Sequence, residues 1–320
     1  MGRQRWFLVI GSIILAGIAL AGALKVLGGR REGAQEPRPG RANPVLSLQQ
    51  KEPATLFEAA SKKMASGEEN EALKDYELIL KKYPDSEIVA DVSFILGEIY
   101  EKKNDPVKAR EYYQRIIQQF PVSEFAEEAK RRSEDLNVRI IASSIKTPDS
   151  ILYEVQKGDM LGKIAKQYNT TTDLIILSNG LKSDLIKVGQ KLKINTIKFT
   201  IIVDKSQNIL TLKGNQSVIK TYPVATGANN STPVGNFTVI TKVKDPTWYR
   251  ENAVVPPGSS ENILGSRWIG ISQPGYGIHG SVDPQSIGRQ VTAGCVRLHN
   301  KDVEELYSLI PIGTEVEIID

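Results

Sequence analysis

The stretch VTAGCVRLHN, residues 291–300, holds the one cysteine of this 320-residue chain, Cys295, between a glycine and a valine-arginine pair. A cysteine that has no partner for a disulfide is either a small, buried apolar residue or a reactive thiol. The surroundings of Cys295 decide between these alternatives, and with them the fold and function of the C-terminal part of the chain.

Short runs in which the residue pattern has a period of two surround this stretch, from residue 198 to residue 320. They are rich in Val, Ile, Thr and Tyr and are separated by turn sequences such as KGN and STPVG, which is typical of β-strands. The predicted strands are KFTIIVD, NILTLK, SVIKTYPVAT, NFTVITKV, RWIGIS and TEVEII. One helix is predicted at 302–309, with Asn300 or Lys301 near its cap. Residues 198–320 are therefore predicted to form one mostly-β domain with its own core.

The chain has two histidines, His279 and His299, and both lie in this predicted β domain. An imidazole is the natural base for activating a thiol near neutral pH. The sequence alone does not choose between them, since His279 ends a predicted strand and His299 lies just after Cys295. One cysteine and two histidines without a dense carboxylate cluster do not suit a zinc site, so no metal is expected.

Four motifs stand out in this domain, namely ATGANNSTPVGNF (225–237), NILGSRWIGIS (262–272), GIHG (277–280) and TAGCVRLHNKD (292–302). Together they resemble the YkuD-type L,D-transpeptidase catalytic domain. The family pattern is a His-Gly pair followed by Ser/Thr-x-Gly-Cys-hydrophobic-Arg-hydrophobic. This chain has Thr292 where the family often has serine, and threonine retains the hydroxyl group.

The resemblance implies that Cys295 is the nucleophile and that His279 is its base. The main-chain carbonyl of Gly280 would orient the imidazole, as an acidic residue does in other triads. Gly294 would let the backbone pass close to the substrate. The N–H groups around Gly294 and Cys295 are candidate donors to the oxyanion of the tetrahedral intermediate.

The family resemblance and side-chain chemistry together predict roles for three further residues. Arg297 either binds a carboxylate of the substrate in a bidentate manner or forms a structural pair with Asp302. Thr292 is expected to form a hydrogen bond near the thiol. His299 is expected to have a local structural role.

A second pattern, residues 152–194, precedes the β domain. YEV and LKI are predicted strands, and LGKIAKQY and the threonine-capped TTDLIILSN are predicted helices. This β-α-α-β unit resembles a LysM domain, which implies a module, residues 152–195, that binds the glycan strands of peptidoglycan. Contacts are expected from 158–161 and 178–181, with Gly158 and Asn179 acting as turn residues. The matching residues are Tyr153, Val155, Gly158, Asp159, Leu161, Ile164, Ala165, Tyr168, Asn179, Leu181, Val188, Gly189 and Gln190, whereas Met160 replaces the usual Ser or Thr.

An internal repeat lies further upstream. EALKDYELILKKYPDSE (71–87) aligns with KAREYYQRIIQQFPVSE (108–124) at an offset of 37 residues. Both copies share an alanine, a tyrosine, an aromatic-Pro pair and Ser-Glu. The pattern resembles tetratricopeptide repeats over residues 53–137, whose helix pairs bury their apolar faces by stacking. Two functions remain open, namely a spacer or dimer contact and a groove for a partner protein.

The N-terminal segment carries the signals of export. Residues 6–24, WFLVIGSIILAGIALAGAL, contain no charge and follow Arg3 and Arg5. This length is close to the roughly 20 residues that span a bilayer, so residues 1–28 are predicted to be a membrane anchor or a cleaved signal sequence. Residues 29–52 are predicted to be a flexible linker. The folded domains are expected outside the cytoplasm, in the periplasm or cell wall.

The charge distribution gives no indication of a nucleic-acid partner. The net charge is +4, but the first 50 residues carry seven basic and two acidic side chains, so the remaining 270 residues sum to −1. The basic residues therefore belong to the segment near the membrane, where they suit topology and anionic lipid. No nucleic-acid binding is expected.

The predicted fold is multidomain, with a transmembrane helix, all-α repeats, a small βααβ LysM unit and a mostly-β catalytic domain. The resemblance implies a peptidoglycan L,D-transpeptidase that releases D-alanine from a tetrapeptide stem and forms 3-3 cross-links through a cysteine acyl-enzyme. No cofactor is expected, because the acyl energy comes from the peptide bond that is broken. Two alternatives remain open, namely an L,D-carboxypeptidase that uses water as acceptor and a non-catalytic wall-binding scaffold.

Overall fold

The first part of the described chain consists of α-helices. The structure is a computed structural model that describes residues 44–250 and 253–320. The predicted helical region is confirmed, and its neighbouring helices pack against one another. The helices are α1 (Pro44–Ser66), α2 (Glu69–Lys82), α3 (Ile88–Lys102), α4 (Pro106–Gln119) and α5 (Ala126–Ile141).

The positions that repeat in the sequence form the core of this helical region. The aromatic residues of the two aromatic-Pro pairs, Tyr83 and Phe120, are the C-caps of α2 and α4, because a following proline disfavours further helix. The repeated alanines and tyrosines each expose 1% or less of their surface, namely Ala72, Tyr76, Ala109 and Tyr113.

Helix α1 begins at Pro44, inside the segment predicted to be a flexible linker. Proline suits the first helical position because its φ is already helical and its missing N–H is not needed there. The linker prediction is therefore wrong for residues 44–52, where Leu, Gln and Lys also favour a helix. The predicted membrane anchor and the rest of the linker lie outside the described residues. No helix within the described ranges is long and apolar enough to cross a membrane.

The predicted β-α-α-β unit follows the helices. Thr171 precedes its second helix, and the threonine side chain accepts a hydrogen bond from the Leu174 N–H, which caps the helix as predicted. Gly158 has a φ of +92°, a value that favours glycine in a turn. The elements are β1 (Ser150–Glu154), α6 (Leu161–Gln167), α7 (Thr172–Asn179) and β2 (Lys191–Asn195), with β1 antiparallel to β2.

An eight-stranded sheet dominates the C-terminal domain. Its strands are β3 (Phe199–Asp204), β4 (Ile209–Gly214), β5 (Ser217–Pro223), β7 (Gly235–Lys244), β10 (Arg267–Ile271), β11 (Gly277–His279), β13 (Val296–Arg297) and β14 (Glu315–Ile319). Their spatial order is β13-β11-β10-β7-β14-β3-β4-β5. Two short pairs lie outside this sheet, namely β6 (Thr226–Gly227) with β12 (Gln290–Thr292) and β8 (Trp248–Arg250) with β9 (Ala253–Val255).

All six predicted strands are present in this sheet, and the mostly-β character of the domain is confirmed. The predicted helix also exists, but α8 (Asn300–Leu309) begins two residues earlier than expected. Its N-cap is His299, next to Asn300, which was predicted to lie near the cap. The extended backbone of His299 ends the preceding segment, which lets the helix start at the next residue.

The core of the C-terminal sheet includes residues from the other two segments. Strand β3 alternates buried and half-buried residues, and its buried residues share a core cluster with α8. Val138 and Ile141 from α5 and Leu174 from α7 belong to the same cluster of buried side chains. Residues Leu48–Asp320 form one compact unit. The helical region and the β-α-α-β unit therefore pack directly on the C-terminal domain.

Candidate active site

Strands β11 and β13 bring the predicted nucleophile and base close to Arg297. The strands pair in parallel, with His279 opposite Arg297. Cys295 immediately precedes β13. The charge of Arg297 lowers the pKa of both Cys295 and His279, so both groups lie near the same guanidinium.

The side chain of His279 is held in one orientation. It is 2% exposed, and its Nδ1 lies 2.7 Å from the carbonyl oxygen of Gly280. Because a carbonyl oxygen only accepts hydrogen bonds, Nδ1 carries the proton and Nε2 has the free lone pair. The Trp268 ring stacks on the imidazole with a centroid distance of 5.9 Å. Burial lowers the pKa of His279 to about 4, so the ring is neutral at pH 7.

Cys295 is partly buried beside the loop that leads into β11. Its Sγ lies 3.8 Å from the carbonyl oxygen of Gly275. Burial raises the pKa of the Cys295 thiol, while a hydrogen bond from the Gly277 backbone and the charge of Arg297 lower it. The thiol is therefore protonated at neutral pH, and a base has to remove its proton before attack.

A tight turn places Cys295 immediately before β13. The Thr292 hydroxyl donates a hydrogen bond of 2.6 Å to the Cys295 carbonyl and accepts one of 3.1 Å from the Gly294 N–H. Gly294 has a φ of +131°, and a Cβ at this position would lie 2.6 Å from Cε1 of Tyr276. Both the conformation and the close contact require glycine here.

This turn distinguishes the two predicted oxyanion donors. The Gly294 N–H donates a hydrogen bond to the Thr292 hydroxyl, and its role as an oxyanion donor stays a prediction. In the described part of the chain, no hydrogen bond from the Cys295 N–H to another backbone or side-chain group is found. The Cys295 N–H is therefore the donor that remains available beside the thiol.

Arg297 lies beside the two candidate catalytic residues. Its Nη1 donates a hydrogen bond of 3.2 Å to the Ser286 hydroxyl, and its buried Nε has no partner among the described residues. Burial lowers the pKa of Arg297, and the nearby charge of Asp283 raises it. Between the described side chains, no ion pair joins Arg297 to Asp302, so that predicted alternative is wrong. Asp302 lies instead in α8, where burial raises its pKa.

The second histidine contributes to the start of a helix. The His299 carbonyl accepts hydrogen bonds from the Asp302 and Val303 N–H groups, at 3.1 and 3.0 Å. His279, by contrast, lies opposite Arg297 on the strand paired with β13, which follows Cys295. Within residues 44–250 and 253–320, no cluster of three or more His, Cys, Asp or Glu side chains could hold a metal ion.

Sequence reasoning missed three residues that shape the site. Trp268 stacks on His279, Ser286 binds Arg297, and the side chain of Asn300 binds the backbone next to Gly280. These contacts join segments that are distant in the sequence, so no local pattern signals them. Asn300 does lie inside the motif TAGCVRLHNKD, which was the one signal that could have indicated it.

Comparison with protein families supports the three resemblances. Residues 198–318 match the L,D-transpeptidase catalytic domain family, YkuD. Residues 153–195 match the LysM domain, and residues 91–123 match a tetratricopeptide repeat. The three family predictions from sequence motifs are therefore confirmed.

Whole-protein comparisons identify similar proteins. YkuD of Bacillus subtilis (strain 168) is 35% identical over 175 residues, which is 52% of this chain and 98% of that protein. YqjB of the same organism is 40% identical over 126 residues, which is 38% of this chain and 70% of that protein. A solved L,D-transpeptidase from Mycobacterium smegmatis aligns with a TM-score of 0.34 at 17% identity, over 42% of this chain and 65% of that chain, and supports no conclusion by itself. Since nearly all of YkuD aligns at this identity, the chain belongs to the L,D-transpeptidase family.

Proposed function

We propose that this chain is a peptidoglycan L,D-transpeptidase that forms 3-3 cross-links through a thioester on Cys295. The observation that supports the proposal is the pairing of β11 with β13, which places a neutral His279 opposite Arg297, two residues after Cys295. The Nδ1–H of His279 donates a hydrogen bond to the Gly280 carbonyl, which leaves Nε2 to accept a proton. Membership of the family supports the class of reaction.

In the first half-reaction, Nε2 of His279 takes the proton from Sγ of Cys295. The thiolate attacks the carbonyl carbon of the amide between the third residue and the terminal D-alanine of a tetrapeptide stem. The Cys295 N–H stabilises the charge that develops on the carbonyl oxygen. The C–N bond then breaks, and the imidazolium gives its proton to the leaving amine. D-alanine departs, and the third residue stays bound to Cys295 as a thioester.

In the second half-reaction, the side-chain amine of a neighbouring stem attacks the thioester carbonyl. His279 takes a proton from the attacking nitrogen, the C–S bond breaks, and the imidazolium returns that proton to the sulfur. A new amide joins the third residues of two stems. The energy of the broken peptide bond is kept in the thioester, so this sequence of steps needs no cofactor.

Arg297 and Thr292 complete the proposed site. Stem peptides carry carboxylates, and a guanidinium with a free, buried Nε beside the thiol suits binding of one of them. We propose that Arg297 binds a stem carboxylate while Ser286 holds its Nη1. Thr292 holds the turn that presents Cys295.

We further propose that the enzyme works outside the cytoplasm. Residues 1–28 would tether it to the membrane or direct its export, and the LysM unit would hold glycan strands while the catalytic domain acts on their stems. Packing of Leu174, from the LysM helix α7, into the catalytic core supports this arrangement, because it holds both binding functions on one unit. The helical repeats would serve as a spacer or bind a partner protein.

The test uses the purified full chain in mild detergent with disaccharide-tetrapeptides, and mass spectrometry of the products. A dimer lighter than two substrates by one D-alanine is expected. Tripeptides without dimers would instead establish the L,D-carboxypeptidase, with water as the acceptor. If the wild-type chain left the substrate unchanged, the scaffold would be the remaining function.

Two pairs of variants make this test specific. Cys295→Ala should abolish both the dimer and the tripeptide, since the chain has no other thiol. His279→Gln should greatly reduce product formation, whereas His299→Gln should retain it. Equal activity of the two histidine variants would contradict the assignment of His279 as the base.

A further inference from the structure

Asn300, the first residue of α8, binds three backbone groups through its side chain. Its Oδ1 accepts hydrogen bonds from the Ser266 N–H at 3.1 Å and from the Ser281 N–H at 3.0 Å. Its Nδ2 donates a hydrogen bond of 2.9 Å to the Ser281 carbonyl. The side chain thus links α8 to the end of the loop before β10 and to the residues that follow β11.

One of these bonds reaches the peptide unit that orients the base. The Ser281 N–H and the Gly280 carbonyl belong to the same planar peptide group. Asn300 binds the N–H side of this group, and the Nδ1–H of His279 binds its C=O side at 2.7 Å. Hydrogen bonds in such a chain polarise one another, so the bond from Asn300 also strengthens Gly280 as an acceptor.

The space around the amide shows how closely the backbone approaches it. A Cβ at Gly280 would overlap Oδ1 of Asn300, and so would a Cβ at Gly265. Two glycines from different segments therefore allow the amide to reach the peptide group. This arrangement explains why the residue after His279 has no side chain.

We propose that Asn300 is a positioning residue that fixes the Gly280–Ser281 peptide and, through it, the orientation and tautomer of His279. Asn300 does not touch the reacting atoms in this account. The inference concerns the base in the proposed transpeptidase reaction and rests on that function. Its first readout, however, is the protonation of His279, which can be measured whether or not the enzyme forms cross-links.

The experiment is nitrogen NMR of the full chain labelled with ¹⁵N-histidine. The chain has two histidines, so His299→Gln assigns both rings. In the wild type, the protonated nitrogen of His279 at pH 7 is expected to be Nδ1. In Asn300→Ala, we expect a mixture of both tautomers, because the Gly280 carbonyl is no longer held in place as the acceptor of the Nδ1–H.

A matched asparagine serves as the control. Asn179 also binds three backbone groups, since its Nδ2 donates to the Ile175 and Lys193 carbonyls and its Oδ1 accepts from the Lys193 N–H. Asn179→Ala should lower stability but leave the His279 tautomer unchanged. A folded Asn300→Ala chain in which Nδ1 of His279 alone carries the proton, as in the wild type, would overturn the inference.

A second variant keeps the inference testable if Asn300→Ala does not fold. In Asn300→Asp, the carboxylate accepts from both N–H groups but adds a negative charge close to the Gly280–Ser281 peptide. The Nδ1–H tautomer should be retained, and the pKa of His279 should rise because the charge favours the imidazolium. A His279 titration identical to that of the wild type would overturn the inference. A lack of cross-linking by the wild type would instead refute the proposed function alone.

Discussion

At the scale of single residues, burial acts in opposite directions on the two groups that the proposed reaction uses. It raises the pKa of the Cys295 thiol and lowers the pKa of His279 to about 4. Both shifts favour the neutral form, because burial disfavours charge. The resting pair is therefore a thiol and a neutral imidazole rather than a preformed thiolate-imidazolium pair.

The reactivity of Cys295 with pH follows from this resting state. We expect the rate of alkylation by iodoacetamide to rise steadily from about pH 7 into the alkaline range, since the thiolate is the reactive species. Mass spectrometry of the intact chain measures it, because Cys295 is the only thiol. Cys295→Ala should remain unmodified. A rate that reaches a plateau near pH 6 would indicate a stable ion pair and contradict this prediction.

The low pKa of His279 also predicts a dependence of stability on pH. The folded-state pKa of about 4 lies below the ordinary value of 6.5, so the unfolded chain binds more protons between these values. The free energy of unfolding contributed by this group is complete above pH 6.5 and is lost as the pH falls toward 4, by roughly 3 kcal/mol. Urea unfolding of the wild type and of His279→Gln measures the difference. If both lose the same stability over this range, His279 is not the cause.

Alanine substitutions at two glycines allow the effect of backbone strain to be measured separately from the effect of a steric clash at the active site. Gly294→Ala should lower the free energy of unfolding by about 1–3 kcal/mol and slow the alkylation of Cys295, because the new Cβ meets Tyr276. Gly288 also has a positive φ, +86°, but a Cβ there would have no atom within 4 Å. Gly288→Ala should therefore lose stability while it retains reactivity. Thermal unfolding and thiol labelling test both variants, and equal reactivity would refute the role of the clash.

At the scale of elements, helix α5 covers the edge of the catalytic sheet. Strand β5 ends the sheet, and its outer N–H and C=O groups need partners. Glu134 accepts hydrogen bonds from the Thr221 N–H and hydroxyl at 3.1 and 3.3 Å. Asn137 donates a hydrogen bond of 2.9 Å to the Ile219 carbonyl. The side chains of a helical repeat thus take the place of a neighbouring strand.

This contact predicts a stability effect from a residue far from the active site. Asn137→Ala should lower the free energy of unfolding by about 1–3 kcal/mol, because it leaves the part-buried Ile219 carbonyl unpaired. Arg131 is the control on the same helix, since its ion pairs with Glu128 and Asp135 are exposed. Arg131→Ala should change stability by about 0.5 kcal/mol or less. Urea midpoints compare the two, and equal midpoints would mean that α5 does not stabilise β5.

At the scale of the whole molecule, the repeats, the LysM unit and the catalytic domain share structural support. The ammonium group of Lys193, from β2, donates hydrogen bonds to the carbonyls of Ile140, Ile141 and Ser143. It thereby places a cation against the carbonyl groups at the end of α5. Leu174 places the LysM helix α7 in the catalytic core. Three segments with separate family signatures are thus expected to unfold together.

Substitutions in two of these segments test this cooperativity. Leu174→Ala and Ile141→Ala should each lower the free energy of unfolding of the catalytic domain by about 2–5 kcal/mol, because both side chains lie in its core. Val122, which is 97% exposed, is the control, and Val122→Ala should have no effect. Fluorescence of Trp248 and Trp268 follows unfolding of the catalytic domain. An unchanged transition in Leu174→Ala would show that the LysM unit unfolds separately.

The sequence predicted the elements of this protein where the signal is local. The period of two located the six longer strands, and the repeated Ala and Tyr positions located the helical core. Strand β13, by contrast, has two residues, which are too few for a periodic pattern. The helix that begins at Pro44 was not predicted. The upstream residues, rich in Gly, Pro and Arg, indicate a linker, and the predicted linker continued into residues that favour a helix.

The sequence by itself determined the family, the order of the segments and the identity of the thiol, because motifs and periodicity depend on neighbours along the chain. Residue chemistry alone left the two histidines as equals and Arg297 with two possible partners, and the resemblance to the family assigned His279 as the base. Only the tertiary structure placed His279 opposite Arg297, on the strand paired with the one that follows Cys295, and separated Arg297 from Asp302. The reason is that strand register and the approach of distant segments depend on the packing of the whole core, which also brought Asn300 to the peptide that orients the base.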